Sequence, residues 1–230
     1  MGYLKEQLEE VKSRIAEQEV LSGREAGSVK LLAVSKTFPA DDIAEVYNAG
    51  QRRFGENKVQ ELELKKPALP DDIEWHLIGH LQSNKVVKAV ALADYIHSVD
   101  SVKLLKRIDR LAGEQGRCPK ILLEVNVSGE ESKFGILPSE LHEVAELALS
   151  CENVQFVGLM TMAPFGADEE ILRTVFAGLR KLRDSIETEF NCSLPELSMG
   201  MSGDYKTAIA EGATFVRIGT AIFGKRDYSK

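Results

Sequence analysis

The chain has 230 residues, 43% of them hydrophobic and 28% charged, which is ordinary for a soluble globular protein. That length suits one closed α/β barrel of the roughly 200–250-residue class better than one open core. A formal net charge of −7 argues against a nucleic-acid partner held by phosphate neutralisation, while leaving room for a small anion in a locally positive pocket.

In chain order, residues 1–22 read as an amphipathic helix, with Leu4, Leu8, Val11 and Ile15 at helical spacing and Gly23 and Gly27 as breaks. Strand and helix patterns then alternate. A strand at 30–36 precedes a helix at 41–48 stopped by Gly50, and a strand at 52–56 precedes a helix at 58–65 and a loop marked by Pro67 and Pro70. Strands at 74–79 and 95–99 are followed by helices at 82–92 and from an Asp100 or Ser101 cap to Gly113. The strand at 121–127 precedes a helix at 139–149. The strand at 154–162 is stopped by Ala163-Pro164 and precedes a long helix at 168–190 with acidic residues in its first turn. A short strand at 197–201, a helix at 205–211 and a strand at 215–223 complete the pattern.

About eight such alternations, with strands apolar on both faces, predict a single (β/α)8 TIM barrel over residues 1–230, preceded by an extra N-terminal helix. The main alternative is a doubly wound open sheet. In a barrel, function sits at the carboxyl ends of the strands. Those ends carry Lys36, Glu56-Asn57, Gly79-His80, Asn126, Met162, Met201-Ser202 and Gly219-Thr220.

Lys36 closes the first apolar run, and a lysine there places a nucleophilic amine at the mouth of the scaffold, able to attack a carbonyl carbon. The plain alternative is a solvated strand-end lysine. Ser198-Met199-Gly200-Met201-Ser202-Gly203-Asp204 and Val216-Arg217-Ile218-Gly219-Thr220-Ala221 fall where barrels place phosphate sites, after strands seven and eight. Neither matches a P-loop or dinucleotide fingerprint. Arg217, inside an apolar strand, must either pair with a carboxylate such as Glu124 or Glu56 or face a pocket.

His76 and His80 straddle a strand end with no third ligand at a metal-binding spacing, so a structural role is expected and no metal. Asp41-Asp42 and Asp71-Asp72 read as helix-start and turn residues, and Arg180, Lys181 and Arg183 as a solvated helix face. Cys118, Cys151 and Cys192 are odd in number and widely spaced, which fits a reducing cytosol rather than a disulfide framework. No apolar run approaches the ~20 residues of a membrane span. The first residues are too charged for a signal segment, and Glu6 breaks the myristoylation pattern. A cytoplasmic protein is expected.

Several words of the sequence are together specific: Ala33-Val34-Ser35-Lys36, Phe54-Gly55-Glu56-Asn57, the run from His76 to Lys85, Ser132-Lys133-Phe134-Gly135, Gly158-Leu159-Met160-Thr161-Met162, Leu197 to Ser202, and Val216 to Gly224. Through them the chain resembles the YggS/PROSC group of pyridoxal 5'-phosphate (PLP) binding proteins, the pyridoxal phosphate homeostasis proteins. The resemblance implies a fold type III barrel like the N-terminal domain of alanine racemase. It implies that Lys36 carries PLP as a Schiff base, that Ser202, Gly219 and Thr220 hold the phosphate, and that Arg217 faces the pyridine nitrogen. Asn57 would lie near the ring, and Met201 would contribute a backbone amide.

The racemases so resembled use two bases, one on each substrate face. With the chain ending at Lys230, no second domain is expected to supply the opposite base or a lid. The expectation is therefore a non-catalytic carrier or buffer of PLP, monomeric, serving PLP-dependent apo-enzymes or PLP-synthesising enzymes. A PLP-dependent amino-acid racemase with an open site, and a barrel lyase using Lys36 without cofactor, are the alternatives.

Overall fold

The computed structural model describes residues 2–130 and 133–224. Apolar runs of four to six residues, too short for helices of their own, become eight strands: β1 (Lys30–Val34), β2 (Arg53–Glu56), β3 (Glu74–Leu77), β4 (Tyr95–Val99), β5 (Lys120–Glu124), β6 (Gln155–Met160), β7 (Glu196–Met201) and β8 (Phe215–Ile218). They pair in parallel in chain order and close with β8 against β1. The open-sheet alternative is thereby excluded.

The connecting helices are α2 (Ala40–Asn48), α3 (Val59–Lys65), α4 (Val86–Leu92), α5 (Val102–Gln115), α6 (Leu141–Leu149), α7 (Glu169–Phe190) and α8 (Tyr205–Ala210). α1 (Tyr3–Leu21) precedes the barrel and buries Leu4, Leu8, Val11 and Ile15 in the same core as the strands. Its buried Glu19 accepts hydrogen bonds from the Gly27 and Val29 amides at 2.9 and 2.7 Å, fixing the turn into β1. Helix ends follow local chemistry. Asp168 caps α7 through the Ile171 amide at 2.9 Å, and Ser101 caps α5. α5 runs past Gly113 because Gly116, left-handed at φ 61°, is the residue that ends it.

Apolar side chains fill two spaces. The larger lies between strands and helices. A smaller one inside the barrel holds Tyr95, Leu122, Val157, Met160 and Phe215. The interior also holds a polar set, His76, His97, Ser198 and Arg217, all buried, with His76 level with Tyr95 of that plug.

Three expectations need correction. Residues Lys66–Ala68 form a 3-10 turn with Pro67 at its start, not an irregular loop, and Ser83–Lys85 form another before α4. The last strand stops at Ile218, not at 223. The amides of Ile222 and Phe223 both bond the Gly219 carbonyl at 2.9 Å, so Thr220–Phe223 coil into a one-turn α9. Arg180 and Arg183 are not simply solvated. Arg180 donates to the Glu211 carbonyl at 2.9 Å and Arg183 to the Leu194 carbonyl at 3.2 Å, tying α7 to the loops beside it.

Candidate functional site

At the carboxyl ends of the strands lies a cleft of about 500 Å³. Lys36, Asn57, Met201, Ser202, Arg217, Gly219 and Thr220 all line it, with Val34, Ile78 and Met162 as apolar walls and Phe165 exposed at the rim. Strand alternation explains the convergence. Leu32 is in register with Arg217, and Leu32, Val34 and Lys36 follow the period of two that points alternate side chains inward.

The backbone on either side of Lys36 is gripped by residues that sequence reasoning passed over. The Ser35 hydroxyl donates to Glu56 Oε1 at 2.6 Å, and the Ser35 carbonyl accepts from Lys65 Nζ at 3.0 Å. The Thr37 amide donates to Glu61 Oε2 at 2.7 Å. Lys65 Nζ also bonds Glu56 Oε1 at 2.8 Å and Glu61 Oε2 at 2.7 Å, which closes a buried ionic bracket around three consecutive residues. Thr37 is held left-handed at φ 72°, costly for a β-branched residue and sustained by that bracket. Burial pushes the Glu56 carboxyl up to about 7, against the pull of Lys65 and Ser35. Burial also raises Glu61, but the hydrogen bonds from Lys65 and Thr37 outweigh it and leave that carboxyl below its ordinary range. The only sequence signal was the Glu61–Lys65 spacing of four on a helix, which usually marks a surface pair.

Asn57 is set by Gly79. A Cβ on Gly79 would lie 2.4 Å from the Asn57 carbonyl oxygen, so β3 can end against β2 only without a side chain there. Gly219 is a milder case between β8 and β1, where a Cβ would lie 3.1 Å from the Val34 oxygen.

The ends of β7 and β8 bring backbone donors to the cleft. The amides of Ser202, Gly203 and Thr220 make no hydrogen bond within the described residues, and Ser202 and Thr220 also bring hydroxyls to the cleft. Met201 differs from expectation. Its amide donates to Asp204 Oδ1 at 2.5 Å, so it shapes the turn and is not a spare donor. Burial raises the Asp204 pKa against the opposing pull of that amide and of Arg217.

Arg217 does not pair with Glu124 or Glu56. Among the described residues no carboxylate lies within ion-pair distance of it, and Glu56 belongs to Lys65. Its Nη1 donates to Ser198 Oγ at 2.7 Å and its Nη2 to the Thr161 carbonyl at 2.9 Å. Burial lowers its pKa to about 10, opposed by Asp204 and Glu124, so it remains a cation at neutral pH. Burial also lifts Glu124 to about 7.

Other strand-end residues go elsewhere. His80 bonds Asp100 at 3.0 Å and stacks on Phe134, while His76 lies in the barrel interior against His97, so the two histidines do not converge. Asn126 accepts from the Gly129 amide at 3.0 Å and organises its own loop. Lys133 donates to the Met162 carbonyl at 3.2 Å, and its neighbour Ser132 lies outside the described residues.

Comparison with known proteins settles the family. A model of the alanine racemase N-terminal domain matches residues 8–227. The chain belongs to this family. Within it, a pyridoxal phosphate homeostasis protein of Aquifex aeolicus is 46% identical over 97% of this chain and 98% of its own length. The human protein of the same name is 44% identical over 87% of this chain and 78% of its own. Among solved structures, PipY of Synechococcus elongatus with PLP bound superposes with a TM-score of 0.81 at 44% identity, covering 91% of this chain and all of PipY. The chain is thus a member of the pyridoxal phosphate homeostasis branch as well.

Proposed function

We propose that this chain binds PLP in the strand-end cleft and acts as a carrier or buffer of the cofactor in its intracellular homeostasis. The observation that carries the reading is the sorting of donors in one cleft. An amine comes from the end of β1, a buried guanidinium from β8, and three unpartnered amides with two hydroxyls from the ends of β7 and β8. That set fits a small molecule with an aldehyde, a ring nitrogen and a dianionic phosphate.

In this reading Lys36 is the nucleophile for the aldehyde, Ser202, Gly219 and Thr220 hold the phosphate, and Asn57 borders the ring. Met201 serves through its turn with Asp204. Arg217, which can only donate, meets the ring nitrogen and keeps it unprotonated. Bound there, PLP supplies an electrophilic carbonyl and a ring that draws electrons weakly.

Support for a non-catalytic role comes from the ionisable side chains lining the cleft among the described residues. They are Lys36, Asp204 and Arg217. Lys36 is the attachment point, Asp204 caps the Met201 amide, and Arg217 cannot give up its proton, so no second base faces the first. The names of the Aquifex aeolicus and human relatives, both pyridoxal phosphate homeostasis proteins, support the same reading. We take residues 1–230 as one barrel domain, monomeric and cytoplasmic, exchanging PLP with enzymes that make or use it.

Borohydride reduction of protein incubated with PLP, followed by peptide mapping, tests the site. A single adduct on Lys36, absent from Lys36→Ala, is the expected result, and an adduct on Lys85 or Lys206 instead overturns the assignment. Robust amino-acid racemisation by the pure protein, lost in Lys36→Ala, overturns the carrier reading.

A further inference from the structure

A chain of hydrogen bonds runs down the barrel axis away from Arg217. Ser198 Oγ, which receives Arg217 Nη1 at 2.7 Å, lies 2.9 Å from His97 Nδ1. His97 Nε2 lies 2.8 Å from His76 Nδ1, and His76 Nε2 lies 3.0 Å from Glu74 Oε1. His76, His97 and Ser198 are all at 0% exposure, and Glu74 is half-buried at the far end of the barrel. Four strands contribute: β3 supplies Glu74 and His76, β4 His97, β7 Ser198 and β8 Arg217.

The proton positions follow from the two ends. Glu74 also accepts from Arg53 Nε at 3.0 Å. Burial pushes its carboxyl up, but His76 and the nearby cations pull harder, so its pKa lies below the ordinary range and it is an acceptor only. Burial holds both imidazoles neutral at pH 7, more firmly at His97, which also feels His76 and Arg217. His76 must then carry its proton on Nε2, facing Glu74. Its bare Nδ1 requires the proton of His97 on Nε2. The bare Nδ1 of His97 in turn takes the Ser198 hydroxyl proton, which leaves Ser198 Oγ as the acceptor for Arg217. The opposite polarity would put a bare nitrogen against a carboxylate.

We propose that His76, His97 and Ser198 are positioning residues, and that with Glu74 they form a one-way hydrogen-bond chain that fixes the Arg217 guanidinium toward the cofactor ring. The link to PLP rests on the functional reading above. The chain itself rests on the geometry alone. Stacking of His76 on Tyr95, at 4.4 Å between centroids, and the edge of Phe215 wall the chain from water.

Two measurements test it. Imidazole 15N NMR of the protein without PLP, at pH 7, should show His76 and His97 both neutral with the proton on Nε2. A proton on Nδ1 of either ring, or an imidazolium, overturns the chain. The second compares ligands on Ser198→Ala. Affinity for PLP should fall about tenfold and the absorption maximum of bound PLP should shift, while affinity for inorganic phosphate, which does not need Arg217, stays unchanged. Unchanged PLP affinity, or equal losses for both ligands, overturns the positioning role. Failure of the unsubstituted protein to take up PLP contradicts the functional reading, and the tautomers still decide the chain.

Discussion

Two polar networks support this cleft, and they are built differently. The one behind Lys36 is ionic: Glu56, Glu61 and Lys65 close around Ser35 and Thr37. The one behind Arg217 is neutral through its middle, made of Ser198, His97 and His76, with charge only at its ends. The difference matches what each must hold. Lys36 acts through a flexible stem, so its backbone has to be fixed, and formal charges at strong hydrogen-bond distances do that. Arg217 brings its own charge into a buried place. A carboxylate directly against it would draw the guanidinium away from the cleft, whereas a neutral chain satisfies one N–H and leaves the cation available.

The contrast predicts unequal sensitivity. Lys65→Met removes the central cation of the bracket and leaves Glu56 buried without its counter-charge. We expect a loss of about 3–5 kcal/mol in urea unfolding, and a loss under ~1 kcal/mol would show the bracket to be ornamental. On the donor wall, Ser202→Ala or Thr220→Ala should weaken PLP binding by roughly 1.5–3 kcal/mol each, measured by fluorescence titration, with little change in melting. Equal affinities before and after would remove those hydroxyls from the phosphate site.

The pH response separates the networks further. The Glu56 pKa is raised from 4.5 to about 7 on folding. Its contribution is fully present below about 4.5 and is lost as pH rises through about 7, because the folded state holds the proton more tightly. Relative to Glu56→Gln, which does not titrate, the native protein should lose roughly 3 kcal/mol of stability between pH 4.5 and pH 8. A constant difference across that range would mean that Glu56 is ionised throughout. The smallest effect is expected at Thr37. Replacing it with Gly relieves the left-handed backbone at the cost of chain entropy, for a net gain of about 0.5 kcal/mol. Thr37→Gly should nevertheless slow borohydride-trappable capture of PLP, since the segment carrying Lys36 is less constrained.

Most of the barrel was legible because buried parallel strands leave short apolar runs between helical patterns, and the residues lining the cleft were legible because they sit at the ends of those runs. The supports were not. Glu61 and Lys65 look like a surface helix pair until α3 is brought to the Ser35 and Thr37 backbone beyond β1. His97 and Ser198 are 101 residues apart, and only closure of the barrel brings them to 2.9 Å. The end of β8 was misplaced because Ala221, Ile222 and Phe223 continue the apolar run, whereas the Ile222 and Phe223 amides turn back onto the Gly219 carbonyl. Of the two readings of Arg217, pairing with a carboxylate or facing a pocket, the structure shows the second, and Glu56 is bonded to Lys65 instead.

The most direct test is a crystal structure of the protein grown with PLP. Density continuous from Lys36 Nζ into the cofactor, with the phosphate against Ser202 and Thr220 and the Arg217 guanidinium at the ring nitrogen, is the predicted result. PLP attached to another lysine, or bound in the cleft with its phosphate toward Lys36, would contradict the account.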